Sequence, residues 1–248
     1  MAVLAVPAAP LLLPAASPAQ PAGAADAVAA LRADVMTAIS GLPEVDAVVL
    51  LAGASEPLVY DAREATLASY GLPRARADIV VDGSLLAAVS ARGQAPRVRS
   101  DRLDGDLAVL ALLIADRWPG MPLVPVSVAA AADVSSLGAV AAGIVGAADA
   151  VGRDVAVVAA SDLAATLDET SPGYLVDGAA DWDAAAVDAV RTEDVTGMAA
   201  LGPAEAARVQ ARGWAPLTVL LHVADQSGAS ITRVDYHAPR GVGQLVAR

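Results

Sequence analysis

Four apolar runs of strand length constrain the fold of this chain more than any other feature. They cover residues 2–6, 45–52, 121–128 and 154–160, and each is followed by a turn and in most cases by a helical pattern. Runs with no polar alternation suit strands buried on both faces. Strands that alternate with helices imply a mostly parallel sheet covered on both sides. The expected class is therefore α/β, with a central mostly parallel sheet and helices on both faces. No internal repeat or clean linker interrupts residues 1–248, so one domain is expected.

The helical segments follow from spacing. Val28, Leu31, Val35 and Ile39 recur at helical intervals across residues 24–40, and Gly41 and Pro43 stop the pattern. Residues 107–118 form a strongly apolar helix with Asp104 or Asp106 near its start, ended by Pro119 and Gly120. Residues 135–151 read as a helix with the small residues Gly143 and Gly146 on its surface and Gly152 just past its end. Helices are expected at 182–191 and 203–212. Residues 216–224 are ambiguous between helix and strand, and Pro216 at a first-turn position favours helix. Residues 57–60 read as a short strand. Residues 61–103 are polar and broken by Gly and Pro, with short strands expected there, such as 77–81. Residues 230–236 and 243–247 read as two closing strands.

Composition excludes several functions. The formal charge of −12 repels nucleic-acid phosphates and anionic membrane surfaces, so neither partner is expected. Arg97 and Arg99, in the Arg-dense stretch 92–102, read as a solvated strand edge or loop. With 0 cysteines there is no disulfide, no thiol catalysis and no thiolate metal site. The absence of Phe, Lys and Asn as well reflects GC-rich coding rather than design. Residues 1–25 carry no charge, but Pro7, Pro10, Pro14, Pro18 and Pro21 argue against a helix there. The stretch also lacks the positive start of a secretory signal. It reads as a first strand followed by a Pro-rich loop, and a cytoplasmic location is expected. The partner is a small molecule or a protein of unknown identity, and a homo-oligomer stays open.

Ligands of such sheets sit beyond the carboxyl ends of the strands. Here those ends are residues 7–14, 53–55 and 161–168. No G-x-S-x-G elbow and no P-loop occurs. Gly241-Val-Gly243 has no third glycine and no helix after it, which argues against dinucleotide binding. The 2 histidines, His222 and His237, have no zinc spacing. His222 lies in an apolar run and reads as a satisfied, half-buried core residue rather than a ligand. His237 reads as a surface turn or, in a sharper reading, a pocket rim. Asp162, Asp168, Glu169, Asp177, Asp181 and Asp183 form the densest carboxylate cluster near a strand end. Such groups could hold a hard cation. Capping and solvation explain most of them, with Asp181 at the N-cap of the helix that starts near Trp182. Asp162 is the exception, because it ends a buried strand and needs a specific partner.

Three segments carry a family resemblance. Ala159-Ala-Ser-Asp-Leu-Ala-Ala-Thr-Leu167, then Ser171-Pro-Gly-Tyr174 and Asp181-Trp-Asp183, resembles the A-S-G-D-L-S-H-R-L … P-x-G-Y … F-D segment of class III extradiol ring-cleavage dioxygenases. These are relatives of the catalytic subunit of protocatechuate ring-opening enzymes and of the Memo-type proteins. Val6-Pro-Ala-Ala-Pro-Leu-Leu-Leu-Pro14 resembles the family's opening V-P-H-P-P-L-L-x-P. Ala238-Pro-Arg-Gly-Val-Gly-Gln-Leu-Val-Ala247 resembles the A-P-Y-G-V-G-Y-x-V-A ending of actinobacterial members. The order of the three segments extends the resemblance over nearly the whole chain. It implies Fe(II) held by two histidines and a carboxylate, with a further histidine as base on the catechol hydroxyl. This chain has Ala8 where the opening motif carries a ligand histidine and Ala165 where the second motif carries the base. No histidine precedes His222. The expectation is a non-catalytic member without the family's Fe(II), with Asp162, Asp168, His237, Ala8 and Ala165 as the candidate pocket. The alternative is an enzyme with a rebuilt carboxylate site.

Overall fold

Strands with apolar residues at every position need cover on both faces, and the structure supplies it. It is a computed structural model that describes residues 1–13, 24–93 and 95–248. The elements in chain order are β1 (Ala2–Val6), α1 (Ala24–Ser40), β2 (Ala47–Ala54), β3 (Leu58–Asp61), β4 (Glu64–Leu67), β5 (Leu72–Asp78), β6 (Val80–Val81) and α2 (Gly83–Arg92). There follow β7 (Arg97–Arg99), β8 (Arg102–Leu103), α3 (Gly105–Arg117), β9 (Pro122–Ala129), α4 (Val134–Val151) and β10 (Val155–Ala160). The last are α5 (Ala179–Arg191), α6 (Val195–Leu201), α7 (Pro203–Arg208), α8 (Trp214–Ser227), β11 (Val234–His237) and β12 (Gln244–Ala247).

The main sheet runs β11-β12-β1-β10-β2-β9-β3-β7, with β6 also on β9. Its centre, β1-β10-β2-β9, is parallel, and β12, β11 and β3 join antiparallel. This is the expected α/β class. All four apolar runs lie side by side, and their two-residue period sorts the core. Val49, Leu51, Val157 and Ala159 face a layer built on α2, α4, α5 and α8. Val48, Leu50, Ala156 and Val158 face α1, α3 and a small second sheet, β5-β4-β8. Asp46 pins the start of this centre: its N–H donates to the Asp154 carbonyl and its carboxylate accepts the Asp154 N–H.

Several expectations are corrected. The region 61–103 holds the helix α2 as well as strands. Asp82 caps it by accepting the N–H groups of Ser84 and Leu85, and Leu85, Leu86 and Val89 form its buried face. Gly143 is not on the surface of α4: it is buried where α4 crosses α2, against the backbone of Arg92 and Gly93. The helix expected over 203–212 stops at Arg208, because Gln210 takes φ 58° and turns the chain. The helix α6 was not anticipated. The strand expected over 230–236 is shorter and shifted, at Val234–His237. Asp181 lies in the first turn of α5, and Gly178 is the N-cap. Arg97 and Arg99 do sit on a strand edge, but both reach Asp61. The Pro-rich loop expected after β1 falls largely on residues 14–23, outside the described residues. Among the described residues α4 is the one helix long and apolar enough to cross a membrane by length and composition, with 39% of it buried here.

Candidate functional site

The carboxyl end of β10 lies at the centre of the sheet, and the next residues are the first polar groups the chain places there. Ser161 donates its hydroxyl to the Leu245 carbonyl. Asp162 is 4% exposed. Its Oδ2 accepts the N–H of Ala8 at 2.8 Å, which ties β10 to the turn after β1. Its backbone bridges to Gln244 of β12, and its carbonyl accepts the Gly213 N–H at 2.7 Å. A Cβ on Gly213 would lie 2.8 Å from that carbonyl oxygen, so a glycine is what lets the segment before α8 close over the strand end.

That segment carries Arg212 into the site. Its Nη1 donates to Asp106 Oδ1 at 2.9 Å and its Nη2 lies 3.9 Å from Asp162 Oδ1. Burial pushes the Asp162 carboxyl up, with Arg212 and the Ala8 N–H pulling the other way. Burial likewise pushes Asp106 up to about 6, against Arg212 and with the help of the nearby Asp162 charge. Burial works against the Arg212 cation, but the charges of Asp162 and Asp106 outweigh it and raise its pKa. The guanidinium is half-exposed on a cleft of about 270 Å³ lined by Gly53, Tyr60, Tyr70, Asp104 and Asp106. The cleft opens beyond the carboxyl ends of β2 and β9, where parallel sheets place ligands.

The candidate residues from the sequence are only partly brought together. Ala8 and Asp162 are in direct contact, and Ala8 is 0% exposed. Ala165 is half-buried and engaged through its backbone: its N–H donates to Val209 and its carbonyl accepts the Gly173 N–H. Asp168 is exposed and closes a turn, accepting the N–H and hydroxyl of Thr170. His237 ends β11, and its Nε2 lies 2.9 Å from Asp34 Oδ2 on α1. His222 is half-buried against Gly138 of α4, but its Nε2 has no hydrogen-bond partner among the described residues, which departs from the satisfied core residue expected. Burial lowers its pKa, with Asp225 opposing.

Asp183 is the carboxylate that sequence reasoning misjudged. It is 2% exposed, accepting the Ala164 N–H at 2.8 Å and the Tyr236 hydroxyl at 2.7 Å. Burial pushes it up to about 6. It fixes the segment after Asp162 against the β11–β12 hairpin, and Gly243 leaves room for it.

The site implied by the resemblance holds Fe(II) through lone pairs on two imidazoles and a carboxylate, with a further histidine as base. Ala8 and Ala165 have none, Asp162 is engaged by Ala8 and Arg212, and His237 is held by Asp34. Among the described residues no group of three or more His, Asp or Glu side chains is arranged to hold a metal. The two-imidazole, one-carboxylate set is not brought together among the described residues.

Asp162→Ala leaves the Ala8 N–H unpaired where water does not reach. A loss of about 1–3 kcal/mol in urea denaturation is expected. Asp162→Asn keeps an acceptor and should lose less. An alanine variant as stable as wild type would remove the structural role given to this carboxylate.

No family model matches the chain, and no curated protein matches it. Solved structures do: the crystal structure of an uncharacterized protein, JW3007 from Escherichia coli K12, aligns with a TM-score of 0.59 over 99% of this chain and 98% of that one. The two are 12% identical, so the likeness is one of fold.

Proposed function

We propose that this chain is a non-catalytic member of the class III extradiol dioxygenase-like family, a binding protein that works without the family's iron. The observation that carries the reading is the pairing of the strand-end carboxylate. Asp162 is taken up by the N–H of Ala8 on one side and by Arg212 on the other. A fixed guanidinium supplies the positive charge that this carboxylate needs, and the residues matching one ligand and the base are Ala8 and Ala165. The cleft beside Arg212 is the place for a small polar molecule. The test is iron analysis after anaerobic Fe(II) reconstitution, together with an oxygen-electrode assay on a panel of catechols. Iron well below one per chain and no oxygen uptake are expected. One iron per chain with measurable uptake would overturn the proposal.

One observation favours a second reading, an enzyme with a rebuilt carboxylate site. Asp106, held near a pKa of about 6, faces the same cleft beside a cation. A carboxyl in that range can give or take a proton near neutral pH. In this reading Asp106 is the acid–base group and Arg212 orients the substrate. Turnover of a small-molecule panel that Asp106→Asn abolishes, with a pH–rate inflection near 6, would favour it over the binding role.

A further inference from the structure

A second cavity lies away from the strand-end cleft, between α1, α3 and the small sheet. Its volume is about 310 Å³, within the range that holds small ligands. The floor is hydrocarbon: Leu12, Leu13, Met36, Leu112 and Leu113 line it. Four consecutive residues of β5, Arg74 to Ala77, also line it. Side chains alternate across a strand, so four in a row means that the cavity runs along the strand's edge. β5 pairs with β4 alone, so no strand covers this edge among the described residues.

The charge around this apolar floor is lopsided. Arg32, Arg74 and Arg76 line the cavity against one carboxylate, Asp116. Arg32 is held by the carbonyls of Leu11 and Leu12. Arg74 and Arg76 are exposed, and neither makes a side-chain hydrogen bond or ion pair among the described residues. In a chain of net charge −12, two guanidinium groups without an ion pair among the described residues stand beside a hydrocarbon groove, Arg76 also lining a neighbouring cleft with Glu64 and Asp78.

We propose that this groove binds an aliphatic carboxylate of medium chain length, with the hydrocarbon against Leu12, Leu13, Met36, Leu112 and Leu113 and the carboxylate at Arg74 and Arg76. Guanidinium groups recognise carboxylates through paired N–H donors, and the hydrocarbon supplies affinity without direction. The site is independent of the strand-end cleft and of the reading given to it.

Titration calorimetry of the full chain with hexanoate, octanoate and decanoate tests the proposal, with 1-octanol as the uncharged control. Single-site binding is expected, tightening by about fourfold per methylene until the groove is filled. Octanol should bind at least tenfold more weakly than octanoate. Arg74→Gln/Arg76→Gln should weaken octanoate at least tenfold and erase most of its preference over octanol. Met36→Trp, which fills the groove from the partly exposed face of α1, should also weaken it tenfold, with the melting temperature showing that both variants fold. The proposal is overturned by the absence of saturable binding, by equal affinity for octanol and octanoate, or by full binding in either variant. Capture of an extended acidic peptide along β5 without any carboxylate binding would also overturn it.

Discussion

Gly143→Ala is expected to lower the thermal midpoint of this protein by roughly 6–12 °C, the equivalent of about 3 kcal/mol in a chain of this size. Helix propensity alone argues the opposite sign, since alanine in a helix interior is favoured over glycine by about 1 kcal/mol. Packing decides the matter. A Cβ on Gly143 would lie 2.5 Å from Gly93 Cα and 2.6 Å from Gly93 N, both backbone atoms that cannot rotate away. Helices α2 and α4 would have to separate, uncovering Leu85, Leu86 and Val89, which are almost fully buried. Gly146, one turn along the same helix, is the control. Its Cβ would meet only the Arg92 side chain, at 3.7 Å, an ordinary contact. Gly146→Ala should therefore be neutral or stabilising by up to about 1 kcal/mol. Equal effects at the two positions would refute the close crossing of α2 and α4.

Asp183→Asn is expected to stabilise the protein at pH 7.5 and to flatten its pH profile. The carboxyl is pushed from 3.8 up to about 6 by burial. The native state therefore holds this proton more tightly than the unfolded chain does, and stability falls as pH rises from about 4 to about 6. Above that window the cost of ionising Asp183 is fully present, on the order of 3 kcal/mol at about 1.4 kcal/mol per pKa unit. Asparagine carries no charge there, and its carbonyl can still accept the Ala164 N–H. A gain of about 1–3 kcal/mol at pH 7.5 is the expected result of chemical denaturation. Asp106, pushed up to about 6, acts in the same direction, so the wild type should be most stable in mild acid. Asp82, held low through the Leu85 N–H, Ser84 and Arg153 despite burial, loses its contribution only as pH falls below about 4. A wild-type profile that rises from pH 4 to 7, or an asparagine variant with no gain at pH 7.5, would contradict the assignment.

The α/β class was legible because β1, β2, β9 and β10 are apolar on both faces, and only a covered parallel centre accepts four such strands. Asp162 was legible for a related reason: a carboxylate at the end of such a strand must have a partner. Helix α2 was hidden by the Gly and Ser around its cap, although Asp82 and the spacing of Leu85 and Val89 could have revealed it. Arg212 and Asp106 were invisible as a pair. Each had an adequate local explanation, one as the end of a helix and the other as a first-turn acid, and 106 residues separate them. Asp183 looked like one solvated acid among several. Its burial depends on Gly243 and Tyr236, which reach it only once the last hairpin folds back. His237 read as a surface turn or a pocket rim, and its partner, Asp34, was out of sight because it lies 203 residues away.

The strand order β1-β10-β2 also has a kinetic consequence. β2 is the next strand after β1 among the described residues, yet the two are not neighbours, because β10 enters between them much later in the chain. A growing or refolding chain must therefore hold two bare apolar edges one strand apart while the remaining residues arrive. Ala and Val side chains give those edges little individuality, so β1, β2 and β10 compete to pair in the wrong order or register. The Asp46–Asp154 clasp sits at the mouth of that gap and selects the pairing in which Ala47 meets Val155. Slow insertion of β10, with aggregation most pronounced in the interval before it, is the expected result of refolding kinetics.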